Sequence, residues 1–358
     1  MKVITPDDPN LVYSGRIDWR DRQAPVFVFP CTFVRLRLRG GRLYVRVRNR
    51  REYWNSYLGV LSDGKQYSLQ LPDDGEALLS VPLDDLRTEH EVTVFKRQDA
   101  CHSITFLGFE TDDEAEILPG EPLPDRKIEV YGDSVSAGEV SEAVSFTGRP
   151  DPVHQGEYSN SWYSYAWKTA RKLHADIHDI AQGGIALLDG TGWYHEPDSQ
   201  GILSVWDKTA YNERIGDVTG WDFSSWIPDV VVLAIGQNDS HPVDFMTGDP
   251  EGRQARIWRE GYVQMLRNLR RVYPDTPIVC ITTLLQHSAA WDLAIDEAVS
   301  TFRKESGDRQ VYRYLFRRNG RATPGHPRVA EAEEMAVELS GFLRPLFSRA
   351  KRKLDYAS

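Results

Sequence analysis

The sequence predicts an α/β fold in two parts: a three-layer α/β/α domain on a parallel sheet, preceded by a jelly-roll-like β-sandwich. Three observations carry this. Before residue 116 the chain alternates apolar and polar residues with period two and shows few helical periods. From Lys127 onward, short apolar runs alternate with helix-length segments. Three of those later runs end in polar, glycine-bearing loops. Strand–helix alternation requires a parallel sheet covered on both faces, whereas many short strands separated by turns favour a sandwich.

In the first part, Val34, Leu36 and Leu38 alternate with Arg35, Arg37 and Arg39; Gly40-Gly41 follows, and then Leu43, Val45 and Val47 alternate with Tyr44, Arg46 and Arg48. This reads as a β-hairpin with one buried face. Further strands are expected over 26–29, 77–81, 91–96 and 103–110, between Asp, Gly and Pro turns. The seven arginines from Arg35 to Arg50 fit a solvated strand face that blocks edge pairing. Residues 111–126 carry acidic residues and prolines 119, 122 and 124, which mark a connector. The expected division is 1–115 for the sandwich, 116–126 for the linker and 127–358 for the second domain.

In the second part, strands are expected over 127–131, 176–180, 230–235, 278–282 and 311–315. Helices are expected near 159–173, 254–273 and 290–304, and from about Pro327. The run Val230-Val231-Val232-Leu233-Ala234-Ile235 has the β-branched content of a central strand buried on both sides. Ser134, Gly184 and Asn238 each follow a strand, which places them at one rim, where ligands bind in such sheets.

The composition restricts function. The 358 residues are 41% hydrophobic and 27% charged, with a formal net charge of −10. That balance excludes a general nucleic-acid binder and disfavours adsorption to anionic membranes. The three cysteines, Cys31, Cys101 and Cys280, lack metal or redox spacing. Cys280 reads as a small core residue, while the other two are free to pair or not. The histidines show no metal-ligand spacing, so neither metal nor cofactor is expected. The N-terminal segment has no apolar core like that of a secretory signal, which makes a cytoplasmic location the expectation. No pattern specifies an oligomeric state.

The chemistry lies in four blocks: Gly132-Asp133-Ser134-Val135-Ser136, Gln182-Gly183-Gly184, Gly236-Gln237-Asn238-Asp239 and Pro324-Gly325-His326-Pro327. A serine at a tight strand-to-helix turn can act as nucleophile if a base lies beside it. His326 can take its proton and return it to a leaving alcohol. Backbone N–H groups of Ser134 and Gly184, with the Asn238 amide, can stabilise an oxyanion. Asp133 and Asp239 are expected to brace their loops.

Together the four blocks resemble the SGNH (GDSL) hydrolases. With the sandwich ahead of them, the chain is most similar to carbohydrate esterase family 2, whose members remove acetyl groups from sugars. The resemblance implies a serine esterase acting on acetylated oligosaccharide or polysaccharide. Ser134 and His326 would be catalytic, and Ser134, Gly184 and Asn238 would form the oxyanion hole. One residue departs from the SGNH pattern, because Thr323 stands where an aspartate usually precedes the histidine. That leaves a Ser-His dyad, with a main-chain carbonyl, Glu139 or another remote carboxylate to orient the ring. The gap also motivates a rival, a non-catalytic or weakly catalytic carbohydrate-binding protein on the same scaffold. A lipase or thioesterase is a lesser rival, since no long amphipathic lid is evident. Sugar rings stack on indole, so Trp193 and Trp221 are expected platforms, and His241, close after Asn238, is expected to line the pocket.

Overall fold

A computed structural model describes residues 1–355, with side chains described as far as Phe347. The first part is a sandwich of two antiparallel sheets, six-stranded among the described residues. One runs Ile17–Asp18, Val26–Phe27, His102–Thr111, Leu43–Arg51, Asp74–Val81, and Lys2–Ile4 also pairs with His102–Thr111. The other runs Glu116–Leu118, Phe33–Arg39, Glu89–Lys96, Tyr57–Ser62, Lys65–Gln70, and Val12–Ser14 also pairs with Phe33–Arg39. Glu116–Leu118, inside the expected connector, thus adds a strand to the sandwich.

The expected hairpin is not formed. Phe33–Arg39 pairs with Glu89–Lys96, while Leu43–Arg51 pairs with His102–Thr111 and Asp74–Val81. At Gly40-Gly41 the chain crosses from one sheet to the other, with the two amides bonded to Thr88 and Leu86 carbonyls at 3.0 and 2.9 Å. Val34, Leu36 and Leu38 then meet Leu43, Val45 and Val47 across a shared interior with Phe106 and Phe109. Alternation dictates which face is buried, not which strand is the neighbour. Both strands are internal to their sheets, so the arginines guard no edge. They form solvated ion pairs instead: Arg37 with Glu89 at 2.5 Å, Arg42 with Asp112 at 2.7 Å and Arg48 with Glu76 at 2.6 Å.

The second part is a parallel sheet in the order Ala175–Ala181, Arg126–Gly132, Val230–Ala234, Ile278–Cys280, Val311–Arg313. One face, with Tyr131, Leu233 and Cys280, packs on Trp258, Tyr262 and Leu266 of helix Arg253–Val272 and Trp291 and Ile295 of helix Ala289–Ser306. The other, with Val130, Val232 and Val279, packs on Ala170 and Leu173 of helix Tyr165–Leu173 and Met335 and Leu339 of helix Val329–Asp355. The last helix begins two residues after Pro327, where Glu331 Oε2 accepts from the Arg328 amide at 2.9 Å and supplies its first cap. All three cysteines are buried and free. Among the described residues no helix is long and apolar enough to cross a membrane.

The two parts are joined by buried polar contacts. Arg16 of the sandwich forms an ion pair with Glu129 of the central sheet at 2.9 Å, both side chains at 0% exposure. Arg16 also donates to Tyr131 Oη at 2.8 Å and to the Trp206 and Lys208 carbonyls at 2.9 Å each. An ionised pair this deep is tolerable only with such added hydrogen bonds.

Candidate active site

Strand order places the site. The chain leaves Arg126–Gly132 for a neighbour on one side and later returns to add strands on the other, so a crevice opens beyond its carboxyl end. Ser134 stands there as first residue of a short helical turn, Ser134–Ala137, capped by Asp133 Oδ1, which accepts from the Val135 amide at 3.0 Å. Asp133 Oδ2 accepts from Gln237 Nε2 at 2.8 Å and lies 3.3 Å from Asn238 Nδ2. It therefore ties the serine turn to the asparagine loop. Burial raises the Asp133 carboxyl against these hydrogen bonds. Asp239 braces as well, its Oδ1 accepting from the Leu187 amide at 2.8 Å and Trp258 Nε1 at 2.6 Å.

Ser134 and His326, 192 positions apart in the chain, meet with Oγ 2.8 Å from Nε2. The ring is held from behind by Asp151, a residue that the motifs do not reveal. Its Oδ2 lies 2.6 Å from His326 Nδ1, and its Oδ1 accepts from the His326 amide at 2.9 Å and from Arg328 Nη2 at 2.7 Å. Gly325 permits the approach, because a Cβ there would lie 2.5 Å from Asp151 Oδ1. Thr323 is buried and only turns the loop, its Oγ1 accepting from the Gly325 amide at 3.3 Å. The arrangement is therefore a triad rather than the expected dyad, and of the three expected ways to orient the ring it uses a remote carboxylate, Asp151, in place of a main-chain carbonyl or Glu139. The missed signal was Arg149-Pro150-Asp151-Pro152, a carboxylate stiffened by prolines in a segment without regular structure.

The charges are coupled. Burial, the largest single influence on each, favours the neutral form of both His326 and Asp151, but their mutual hydrogen bond and the surrounding charges together outweigh it. The His326 pKa is raised above the ordinary imidazole value, with help from Glu139 and Asp133. The Asp151 carboxyl is held well below the usual range, with help from Arg328.

The Ser134 amide, at a helical first position, has no acceptor one turn back. Gly184 has φ of +74°, and a Cβ there would lie 2.9 Å from Trp193 Cβ, so the position requires glycine. The Asn238 amide donates to the Ile185 carbonyl at 3.0 Å. These residues share one cleft of 840 Å³ with Glu139, Trp193 and Leu285. The sandwich supplies part of the wall: Glu52, Tyr53 and Trp54. Glu52 is bonded across the domain boundary to His195 Nε2 at 2.8 Å, Asn212 Nδ2 at 2.6 Å and Arg214 Nη1 at 2.5 Å. Asp99 of the sandwich accepts from the Gly183 amide at 2.5 Å and Gln182 Nε2 at 2.8 Å, which braces the loop carrying Gly184.

The expected sugar contacts divide. Trp193 lines the cleft and is 57% exposed. His241 lies behind it, the rings stacked at 3.3 Å between centroids, with Nε2 3.0 Å from Glu196. It supports the indole rather than lining the pocket. Trp221 is not in the cleft: it packs 5.2 Å from the Arg16 guanidinium and 5.6 Å from His178. Its expected role is lost because the buried Arg16 needs an aromatic cover.

A strand-end serine joined through imidazole to a carboxylate, on a doubly covered parallel sheet, defines the class as a serine hydrolase. The chain belongs to the GDSL-like lipase/acylhydrolase family, whose model matches residues 130–336, and residues 13–120 match the carbohydrate esterase 2 N-terminal domain. It is 28% identical over 353 residues to the cellulase/esterase CelE of Acetivibrio thermocellus, covering 95% of this chain and 40% of that protein. It is 24% identical over 349 residues to the acetylxylan esterase/glucomannan deacetylase of Cellvibrio japonicus, covering 96% of this chain and 91% of that one. Among solved structures, a family two carbohydrate esterase from Clostridium thermocellum in complex with cellohexaose superposes with a TM-score of 0.77 at 25% identity, covering 94% of this chain and 98% of that chain.

Proposed function

We propose that the protein is a serine esterase that removes acetyl groups from carbohydrate hydroxyls. The observation that carries this is the 2.8 Å contact between Ser134 Oγ and His326 Nε2, with Asp151 on the far side of the ring. The acetylated carbohydrate substrate is supported by the named activity of the Cellvibrio relative and by an exposed indole in the same cleft.

Ser134 Oγ attacks the ester carbonyl while His326 Nε2 takes its proton. The oxyanion receives the Ser134 and Gly184 amides and Asn238 Nδ2, whose long 3.3 Å contact with Asp133 is the one to exchange. Collapse expels the sugar alkoxide, which recovers the proton from His326 and leaves an acetyl-serine. Water, deprotonated by His326, then attacks the acyl-enzyme and releases acetate. Asp151 stays ionised and stabilises the imidazolium at both steps. The rival reading, a binding protein with weak or no turnover, rested on the missing acid at Thr323; Asp151, 2.6 Å from His326 Nδ1, supports turnover instead.

Ser134→Ala tests the proposal. The variant should melt like the wild type yet release acetate from acetylated xylan or glucomannan about 10⁶-fold more slowly. Undiminished release in that variant would overturn it.

A further inference from the structure

Four carboxylates line the cleft: Glu52, Glu139, Asp151 and Glu196. Glu52 is engaged by His195, Asn212 and Arg214, Asp151 by His326 and Arg328, and Glu196 lies 3.0 Å from His241 Nε2. Among the described residues, no protein group donates a hydrogen bond to the Glu139 carboxyl. Its position is nevertheless fixed, because Glu139 follows the C-cap of the serine turn and its amide donates to the Ser134 carbonyl at 3.0 Å. Its Oε2 lies 2.8 Å from where a Cβ on Gly183 would stand, and a Cβ on Gly184 would meet Trp193. Glu139 and Trp193 therefore flank the dipeptide that carries the oxyanion donor.

Glu139 is partly exposed in the cleft, so a bound ligand can offer its carboxyl a hydrogen-bonding partner in place of water. The acyl half of an acetyl ester cannot supply it, since the methyl is apolar and the carbonyl oxygen is taken by the N–H donors. The alcohol half can. We propose that Glu139 binds a free hydroxyl of the sugar beside the acetylated one, so that it selects polyhydroxylated leaving groups over simple alcohols. This rests on the esterase reading above and names the group that sets its specificity. The environment allows either hydrogen-bonding role, because burial and the charges of Asp99, Asp151 and Asp133, against the opposing His326, push the Glu139 carboxyl up to about 7. Its protonated form donates and its ionised form accepts.

The readout is the ratio of kcat/KM on an acetylated xylo-oligosaccharide to that on p-nitrophenyl acetate, whose leaving group has no neighbouring hydroxyl. Glu139→Ala should lower the ratio about 10- to 100-fold, the range expected on losing a hydrogen bond to a charged group. Glu139→Gln keeps the shape and an acceptor, so it should restore part of the ratio, and it decides the matter if the alanine variant fails to fold. An unchanged ratio would overturn the proposal. So would equal losses on both esters with a displaced pH profile, which would mean that Glu139 acts only through His326. Wild-type protein that cleaves neither ester would instead overturn the esterase reading itself.

Discussion

The turn that bears Ser134 and the loop that bears Asp151 deliver two members of one triad, yet they are built in opposite ways. The serine turn is local: a buried strand, a glycine, an aspartate cap and a helical turn fall within residues 126–138. The acid loop has no regular structure around residue 151 and is positioned from outside. Arg328 and the Gly325 notch hold the carboxylate. Farther along, Arg97 of the sandwich, nearly fully buried, pairs with Glu142 and donates to the Ser159 carbonyl at 3.2 Å. A nucleophile can thus be written in five consecutive residues, whereas its orienting acid here depends on three separated segments and on both domains.

The hardest test of this contrast is Asp151→Asn. If the acid loop is a full partner of the serine turn, kcat should drop about 10⁴-fold, as loss of the orienting acid does in a serine protease; a loss under tenfold would return the site to a dyad. The same variant tests the charge coupling. His326 must be neutral to act as base, and the Asp151 hydrogen bond raises its pKa against burial. Wild-type kcat/KM should therefore fall as pH drops through that raised value, and in Asp151→Asn this acidic limb should move to lower pH. A limb that stays in place would mean that another group governs it. Smaller in effect, Arg97→Met should loosen the acid loop while sparing the serine turn. Misplacing a catalytic group by about an ångström can cost 10²-fold, so a 10- to 100-fold loss in kcat with little change in KM is expected in steady-state assays. Smallest of all, Trp221→Phe should leave kcat/KM on sugar acetates within about twofold, since the ring covers Arg16 and not the substrate; a large rise in KM would restore Trp221 to the cleft.

The same contrast explains what could be read from the chain. The parallel sheet was legible because strand-length segments alternate with helix-length ones around the wholly apolar run Val230–Ala234, and Ser134, Gly184, Asn238 and His326 each sit in a recognisable block. Asp151 was not, because its place is defined by Gly325 and Arg328, far away in sequence. In the sandwich, the alternation of Val34 to Val47 gave the buried face but not the crossing at Gly40-Gly41, since the partners of a strand are set by contacts that a period of two does not encode. The strands Tyr57–Ser62 and Lys65–Gln70 went unread although Asp63-Gly64, with φ of +50° and +81°, joins them by the dipeptide that marks a tight hairpin. Trp221 and His241 were misplaced for a related reason: neither the affinity of indole for sugar rings nor closeness to a motif in sequence says which way a ring faces.

The buried Arg16–Glu129 pair has a consequence for how the molecule comes apart. Separating the halves would leave each charge stranded without its counter-ion, and it would also strip the Gly184 loop of Asp99. The two parts should therefore melt as one cooperative transition. Neither is a module that recombination could transplant alone, for a hydrolase half cut free would carry its triad on a scaffold that no longer holds it still.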